Sequence, residues 1–237
     1  MRFPQPLLEG RLVQRYKRFL ADVDLAGGER VTAHCANPGA MLGLAGPGSR
    51  VLLARSDNPK RKLGFSWELV EAAPIGGGAA QWVGINTARP NALVAEALRE
   101  GRLPPFLGYE RVRPEVRYGQ ASRVDFLLEA DGRPPLYLEV KNCHLMREAG
   151  LAEFPDCVAA RSARHMGELA AMVGAGARAA LLYVIQMEAE RFQVAADLDP
   201  AYAAASARAR AAGVEVHAVA CRVTPEEVTI GRAVPVA

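Results

Sequence analysis

Cysteine is scarce in this chain and poorly placed for chemistry. Four occur in 237 residues, Cys35, Cys143, Cys157 and Cys221. None are spaced C-x-x-C and none stands near a histidine at zinc-ligand spacing; His34 and Cys35 are adjacent but alone. That pattern argues against a zinc ribbon and against a disulfide framework. Long apolar runs are missing too. None reaches the ~18 residues of a membrane-spanning helix, so no membrane partner is expected. The opening MRFPQPLLEGRLVQRYKRF carries Glu9, Arg11, Arg15, Lys17 and Arg18. It lacks the apolar core of a signal peptide, and a cytoplasmic protein is the expectation. Lysine is also rare. Arginine dominates the 29 basic residues, and the lysines are Lys17, Lys60, Lys62 and Lys141. Genome composition accounts for an arginine bias, yet a point ammonium and a planar guanidinium do different jobs, so each lysine merits inspection.

What is present describes a globular chain, 50% apolar and 23% charged. Its length suits one large domain or two small ones. The net charge of +3 is unevenly spread: residues 1–80 hold 11 Lys/Arg against 7 Asp/Glu, the remainder 18 against 19. A basic excess in the first third hints at an anionic partner there.

Residues 11–75 read as short strands punctuated by Gly, Pro and Asn. LVQRYKRFLADVDL runs to a GGE turn, RVTAHCA leads into the loop NPGAMLGLAGPGS, and RVLLARS and FSWELVEAA flank the turn DNPKRK. This is the pattern of a small β-barrel or sandwich. PIGGGAAQ, 74–81, reads as a linker or hairpin tip, and the division is expected at 1–80 and 81–237. Beyond it, PNALVAEALREG has helix start and stop signals. RVDFLLEA and LYLEVKN form a hairpin around DGRPP. CVAARSARHMGELAAMV is a helix, ARAALLYVIQ a buried strand, PAYAAASARARAAG a helix and VEVHAVACRV a strand. A hairpin followed by β-α-β predicts a mixed sheet covered by helices.

The stretch LYLEVKN places Glu139 and Lys141 two residues apart inside an apolar run. With Ala130 set opposite Leu136, Asp125 falls opposite Lys141. By parity Asp125, Leu127, Glu129, Tyr137, Glu139 and Lys141 share one face, and Val124, Phe126, Leu128, Leu138 and Val140 the other. On its own the triplet is more simply explained as a solvated sheet face with an ion pair of little worth. Company favours a site. Glu96 sits mid-helix beside the stripe Leu93, Val94 and Ala97, where a helix packed on the sheet would bring it to the same place. Clustered carboxylates need a cation, and hard oxygen donors suit Mg²⁺ or Mn²⁺. Such a metal assists phosphodiester hydrolysis, with Lys141 serving the attacking water.

These residues carry a resemblance. RVDFLLE and LYLEVKN, with Glu96 upstream, look like the PD-(D/E)xK nuclease signature of the restriction-endonuclease-like fold, although Val124 stands where the signature has Pro. RYKRFLADV, HCANPGAM, SDNPKRKLGFSWELVE, VGINTARPNALVAEAL, SRVDFLL, EVKN and FPDCVAARSARHMGEL together resemble the sugar fermentation stimulation protein A family over nearly the whole chain. Ala36 and Pro38 stand where that family's loop is expected to carry Pro and Thr. The resemblance implies an OB-like N-terminal barrel, a nuclease-like α/β/α domain with a mixed sheet, and DNA binding. Asp125, Glu139 and Lys141 would form the catalytic core, with Glu96 an extra acid; Asp125, Glu139 and Glu96 would hold the metal.

The basic segments fit that expectation. Arg15, Tyr16, Lys17 and Arg18 interleave charge with aromatics, and Asn58, Lys60, Arg61 and Lys62 form a basic turn. An OB-type barrel binds strands with such faces and loops; a solvated face over a core Tyr16 and Phe19 is the plainer alternative. Arg161, His165 and Glu168 share a face of the helix after the hairpin, and Gln186 ends the next strand; the polar side of an amphipathic helix is the plainer reading of that face, a phosphate track the alternative. The expected function is metal-dependent cleavage of DNA, single- or double-stranded. The alternative is a regulator that binds DNA, of sugar metabolism by the family's name, on a nuclease-like scaffold. A homodimer is left open.

Overall fold

A computed structural model describes residues 1–119 and 122–237. Its first lobe holds β1 (Leu8–Tyr16), β2 (Leu20–Leu25), β3 (Arg30–His34), β4 (Arg50–Arg55), β5 (Phe65–Ala72) and β6 (Gln81–Gly84). Their order is β3-β2-β1-β4-β5-β6, and a short parallel pairing of β3 with β5 closes five of them into an OB-like barrel. Leu12, Ala21, Val23, Val31, Ala33, Val51, Leu53 and Trp67 fill it, drawn inward by the period of two. Trp67 satisfies its indole by donating to the Leu69 carbonyl at 2.9 Å.

Two boundaries differ from the sequence expectation. LVQRYKRFLADVDL is not a single run of strand. It reverses at Lys17–Phe19, so that Tyr16 pairs with Leu20. None of the usual turn residues marks the reversal; Lys17 and Arg18 instead adopt left-handed backbone angles, φ 49° and 63°. Such angles cost a non-glycine residue about 1–2 kcal/mol. The barrel sheet also runs on to Gly84, past the expected division at 80/81, because β6 pairs with β5 from Gln81 opposite Ala72 to Gly84 opposite Leu69.

The second lobe holds α1 (Arg89–Arg99), β7 (Arg111–Tyr118), β8 (Ser122–Glu129), β9 (Leu136–Cys143), β10 (Leu145–Glu148), β11 (Leu151–Phe154), α2 (Ala160–Gly174), β12 (Arg178–Ile185), β13 (Arg191–Val194), α3 (Pro200–Ala211), β14 (Glu215–Val223) and β15 (Val228–Ala233). A six-stranded sheet runs β15-β14-β12-β9-β8-β7, parallel among β9, β12 and β14 and antiparallel outside them. A smaller sheet joins β10, β11 and β13. On one face Leu93, Val94 and Ala97 of α1 pack with Phe126, Leu138, Val140 and Leu182. On the other, Met166 and Leu169 of α2 and Tyr202 and Ala205 of α3 pack with Leu127, Leu181 and Tyr183. The expected mixed-sheet α/β/α arrangement is therefore present. Among the described residues no helix is long and apolar enough to cross a membrane.

Candidate active site

The β8–β9 register places Leu128 opposite Leu136 and Phe126 opposite Leu138, two residues from the expected pairing. A shift of two keeps every side chain on its face. Continued one step, this register sets Asp125 level with Glu139 rather than with Lys141. Parity itself fails near the start of β8. Val124 packs with Leu127 in the core on the α2 side, not with Phe126. The β7–β8 ladder skips from Pro114–Phe126 to Val116–Val124, and Glu115 between them has a left-handed φ of 53°. That irregularity lies opposite Asp125, near the start of the strand. The Asp125 carboxylate consequently inserts where β8 and β9 part. It accepts the Val140 N–H at 2.7 Å and the Asn91 side-chain amide at 2.7 Å.

Glu139 and Lys141 share the α2-facing side of β9, as their spacing demands. Both are buried, and the Lys141 Nζ donates to Glu139 Oε1 at 2.7 Å. His165 Nδ1 donates to the same oxygen at 2.5 Å. On the far side of the ring Arg161 Nε donates to His165 Nε2 at 3.4 Å. Burial pushes the Glu139 carboxyl up, but the bonds from His165 and Lys141 outweigh it and hold the group below the usual carboxylate value. Asp125 goes the other way: burial and then the neighbouring Glu139 charge raise it.

Three buried side-chain oxygens lack a hydrogen-bond partner among the described residues: Tyr118 Oη, Glu139 Oε2 and Glu168 Oε2. All belong to this neighbourhood. Glu168 lies one helical turn after His165, and its carboxyl sits against Gly119, where a Cβ would meet Glu168 Cδ at 3.4 Å. The Tyr118 hydroxyl is pushed up by burial and then by the charges of Glu139, Glu168 and Asp125. Such orphaned oxygens are uncommon in a folded protein. Surplus negative charge with a free carboxylate oxygen fits a hard divalent cation. Among the described residues no three His, Cys, Asp or Glu side chains are arranged to enclose one. Asp125 and Glu139 would supply two carboxylates and leave the other positions to water and substrate, as Mg²⁺ commonly prefers.

Glu96 is not brought to this cluster. It pairs with the N-terminal ammonium of Met1 at 2.8 Å and with Arg102 at 3.3 Å. The ammonium bond, then that charge and Arg102, lower its carboxyl. The reason is helical geometry: Asn91, five residues earlier, occupies the part of α1 that touches Asp125, and five residues turn a helix well away from that direction. Asn91 was thus missed by the sequence reading, and no motif points to it.

Around the cluster, Gln186 donates to Asn142 Oδ1 at 2.7 Å and to the Asn86 carbonyl at 3.1 Å. Asn142 donates to His144 Nδ1 at 2.9 Å, and His144 Nε2 lies 3.3 Å from Asp156 Oδ2. Met41 N–H completes that carboxylate at 2.8 Å. This chain of amides and imidazole ties the site strand to the barrel. Between the lobes lies a cleft of about 820 Å³, with Lys141 and Asn142 on the second-lobe side and Arg15, Arg18 and the loop Asn37–Ala40 on the barrel side.

The basic residues divide. Arg15 is committed to carbonyls, donating to Asn37 at 2.8 Å and Gly39 at 3.0 Å, so it braces the loop rather than standing free for phosphate. Tyr16 donates to Asp22 at 3.2 Å. Lys17 and Arg18 are exposed on the turn. Asn58 shapes its own turn by accepting the Lys60 N–H at 3.0 Å. Arg61 donates to Ser66 at 3.0 Å. Lys60, Arg61 and Lys62 are exposed on the β4–β5 connection, and none lines the cleft.

Two family models match the chain, an SfsA N-terminal OB domain over residues 13–85 and a sugar fermentation stimulation protein RE domain over residues 88–227. A sugar fermentation stimulation protein homolog of Methylobacterium nodulans is 68% identical over 236 residues, spanning 100% of this chain and 99% of the relative. One from Azorhizobium caulinodans is 53% identical over 236 residues, spanning 99% of each. The structure of Pyrococcus furiosus SfsA in complex with Ca²⁺ superposes with a TM-score of 0.86 at 23% identity, covering 100% of this chain and 98% of that one.

Proposed function

The chain belongs to the sugar fermentation stimulation protein family, and from that premise and the geometry of its buried acid–lysine cluster we propose that it cleaves DNA as a divalent-metal-dependent phosphodiesterase. The observation that carries the reading is the buried Lys141–Glu139 pair at 2.7 Å, whose carboxylate keeps Oε2 free beside Asp125. The relative from Pyrococcus furiosus, described with Ca²⁺, lends the metal requirement support.

Asp125 and Glu139 would hold the cation, which when bound would neutralise charge on the scissile phosphate and acidify a water. Lys141 is positioned by Glu139 Oε1 and directs its remaining donors at that water or at the phosphate oxygens on which charge develops. His165 fixes the Glu139 rotamer from the opposite side, and Asn91 fixes Asp125. The closed second-lobe core behind β9 keeps bulk water from the pair, which strengthens each of these interactions.

The test is cleavage of labelled single- and double-stranded DNA with Mg²⁺ or Mn²⁺, wild type beside Lys141→Ala. A loss of at least 10²-fold with binding retained is expected of a residue serving the proton transfer. Cleavage unchanged in Lys141→Ala would sink the assignment. A second reading, DNA binding without hydrolysis, is favoured by one observation: both Asp125 oxygens already have protein partners. Salt-sensitive binding by a chain that leaves DNA intact under every metal would establish it.

A further inference from the structure

The cleft beside Lys141 is bounded on the barrel side by a wall that the fold holds in place. Ala36 O accepts both the Thr87 N–H and the Thr87 hydroxyl, at 3.0 and 2.8 Å. The Asn37 amide donates to Ile85 O at 2.9 Å. Met41 N–H donates to Asp156 across the lobes at 2.8 Å. Gly39 lies so close to that carboxylate that a Cβ there would meet Asp156 Oδ2 at 2.7 Å. These bonds staple the loop to the second lobe, so the cleft width is a property of the fold. At about 820 Å³ it has the size of a small-ligand site. That volume accommodates a few nucleotides of one strand.

Arg18 lines this cleft, and its neighbour Phe19 is 47% exposed, one of few large apolar side chains left in solvent. The Phe19 ring is stacked on His34, centroids 6.5 Å apart with planes 21° from parallel. Lys17 and Arg18 form no ion pair among the described residues and hold left-handed angles that present both cations and the ring on one turn. Backbone strain kept at an exposed turn calls for a role. A flat aromatic face beside unpaired cations, at the edge of a confined groove, is the combination that binds single strands by stacking and phosphate contact.

Resting on the proposed nuclease reading, we infer that the substrate is a single-stranded segment of nucleic acid, with one base stacked on Phe19, its phosphates along Lys17 and Arg18, and the backbone passing into the cleft toward Lys141. Binding decides this separately from cleavage. A labelled oligonucleotide, alone and annealed into a blunt duplex, is titrated with the full chain in chelator, and anisotropy gives Kd for each. The single strand is expected to bind at least about tenfold tighter than the duplex. Phe19→Ala should weaken the single strand by about tenfold, in line with the loss of one stacked base, and leave the melting temperature unchanged. Equal or tighter binding of the duplex, or no response to Phe19→Ala, overturns the inference. Loss of hydrolysis alone, with single-strand preference kept, would overturn only the nuclease reading.

Discussion

The carboxylate of Asp125 occupies the place of a ladder partner for Val140, accepting its backbone N–H at 2.7 Å just where β8 and β9 separate. The acid is thereby held in a partly buried position beside Glu139, whose charge it would otherwise avoid. Burial and that charge favour the neutral form of Asp125. A divalent cation held by both carboxylates would reverse the balance.

Addition of Mg²⁺, Mn²⁺ or Ca²⁺ is therefore expected to raise the melting temperature. At a hundredfold excess over Kd, linkage gives about 2.7 kcal/mol of stabilisation. The shift should vanish in Asp125→Ala and in Glu139→Gln. A wild-type protein with no shift for any of the three ions would count against the metal site.

Asn91 is the only helix residue bonded to Asp125 among the described residues, at 2.7 Å. Asn91→Ala removes a hydrogen bond to the Asp125 carboxyl and leaves its Oδ1 without a protein partner, at a cost of about 1–3 kcal/mol. Chemical denaturation should show that loss, and the cation-induced rise in melting temperature should weaken as the carboxylate loses its fixed rotamer. An unaltered response to cation would reduce Asn91 to a structural role.

How far the sequence revealed this site follows from the kind of signal each residue leaves. Glu139 and Lys141 were legible because strand periodicity fixes two side chains on one face whatever the register. The overall α/β/α order was legible because apolar runs and helix caps are local. Asp125 lies beside Glu139 for a reason parity only partly foresees: the register differs by two from the expected one, which parity forgives, and the start of β8 turns opposite the Glu115 irregularity, which parity does not foresee. Glu96 was misplaced because its direction depends on how α1 rotates against the sheet, a tertiary quantity. The Lys17–Phe19 turn left no mark, since the chain builds it from residues that ordinarily avoid left-handed angles. Asp156 joins the site through His144, a contact between the β9–β10 and β11–α2 connections that no local pattern encodes.

Glu96→Gln should separate the two readings of that acid. Its partners are the Met1 ammonium and Arg102, so the substitution removes charge from a partly exposed ion-pair cluster. A small loss of stability, below about 1 kcal/mol, is expected, with cleavage within about twofold of wild type. A hundredfold loss of cleavage with normal folding would restore Glu96 to the site.

Asp156 gives the sharpest dependence on pH. Burial pushes its carboxyl up, but His144 and then the Met41 N–H outweigh that, and its pKa falls from 3.8 to about 2. A carboxyl lowered on folding stabilises the native state above its unfolded value and loses that contribution as pH falls through the folded one. The shift corresponds to about 2 kcal/mol at neutral pH. Asp156→Asn keeps the shape but forfeits the charge that His144, Met41 N–H and the Cys157 thiol face. Denaturant titrations of both proteins should therefore differ by about that amount near pH 7, and the gap should close between about pH 4 and pH 2. A gap that stays constant through this window would mean that Asp156 acts by shape alone, and that the staple between barrel loop and second lobe does not depend on its charge.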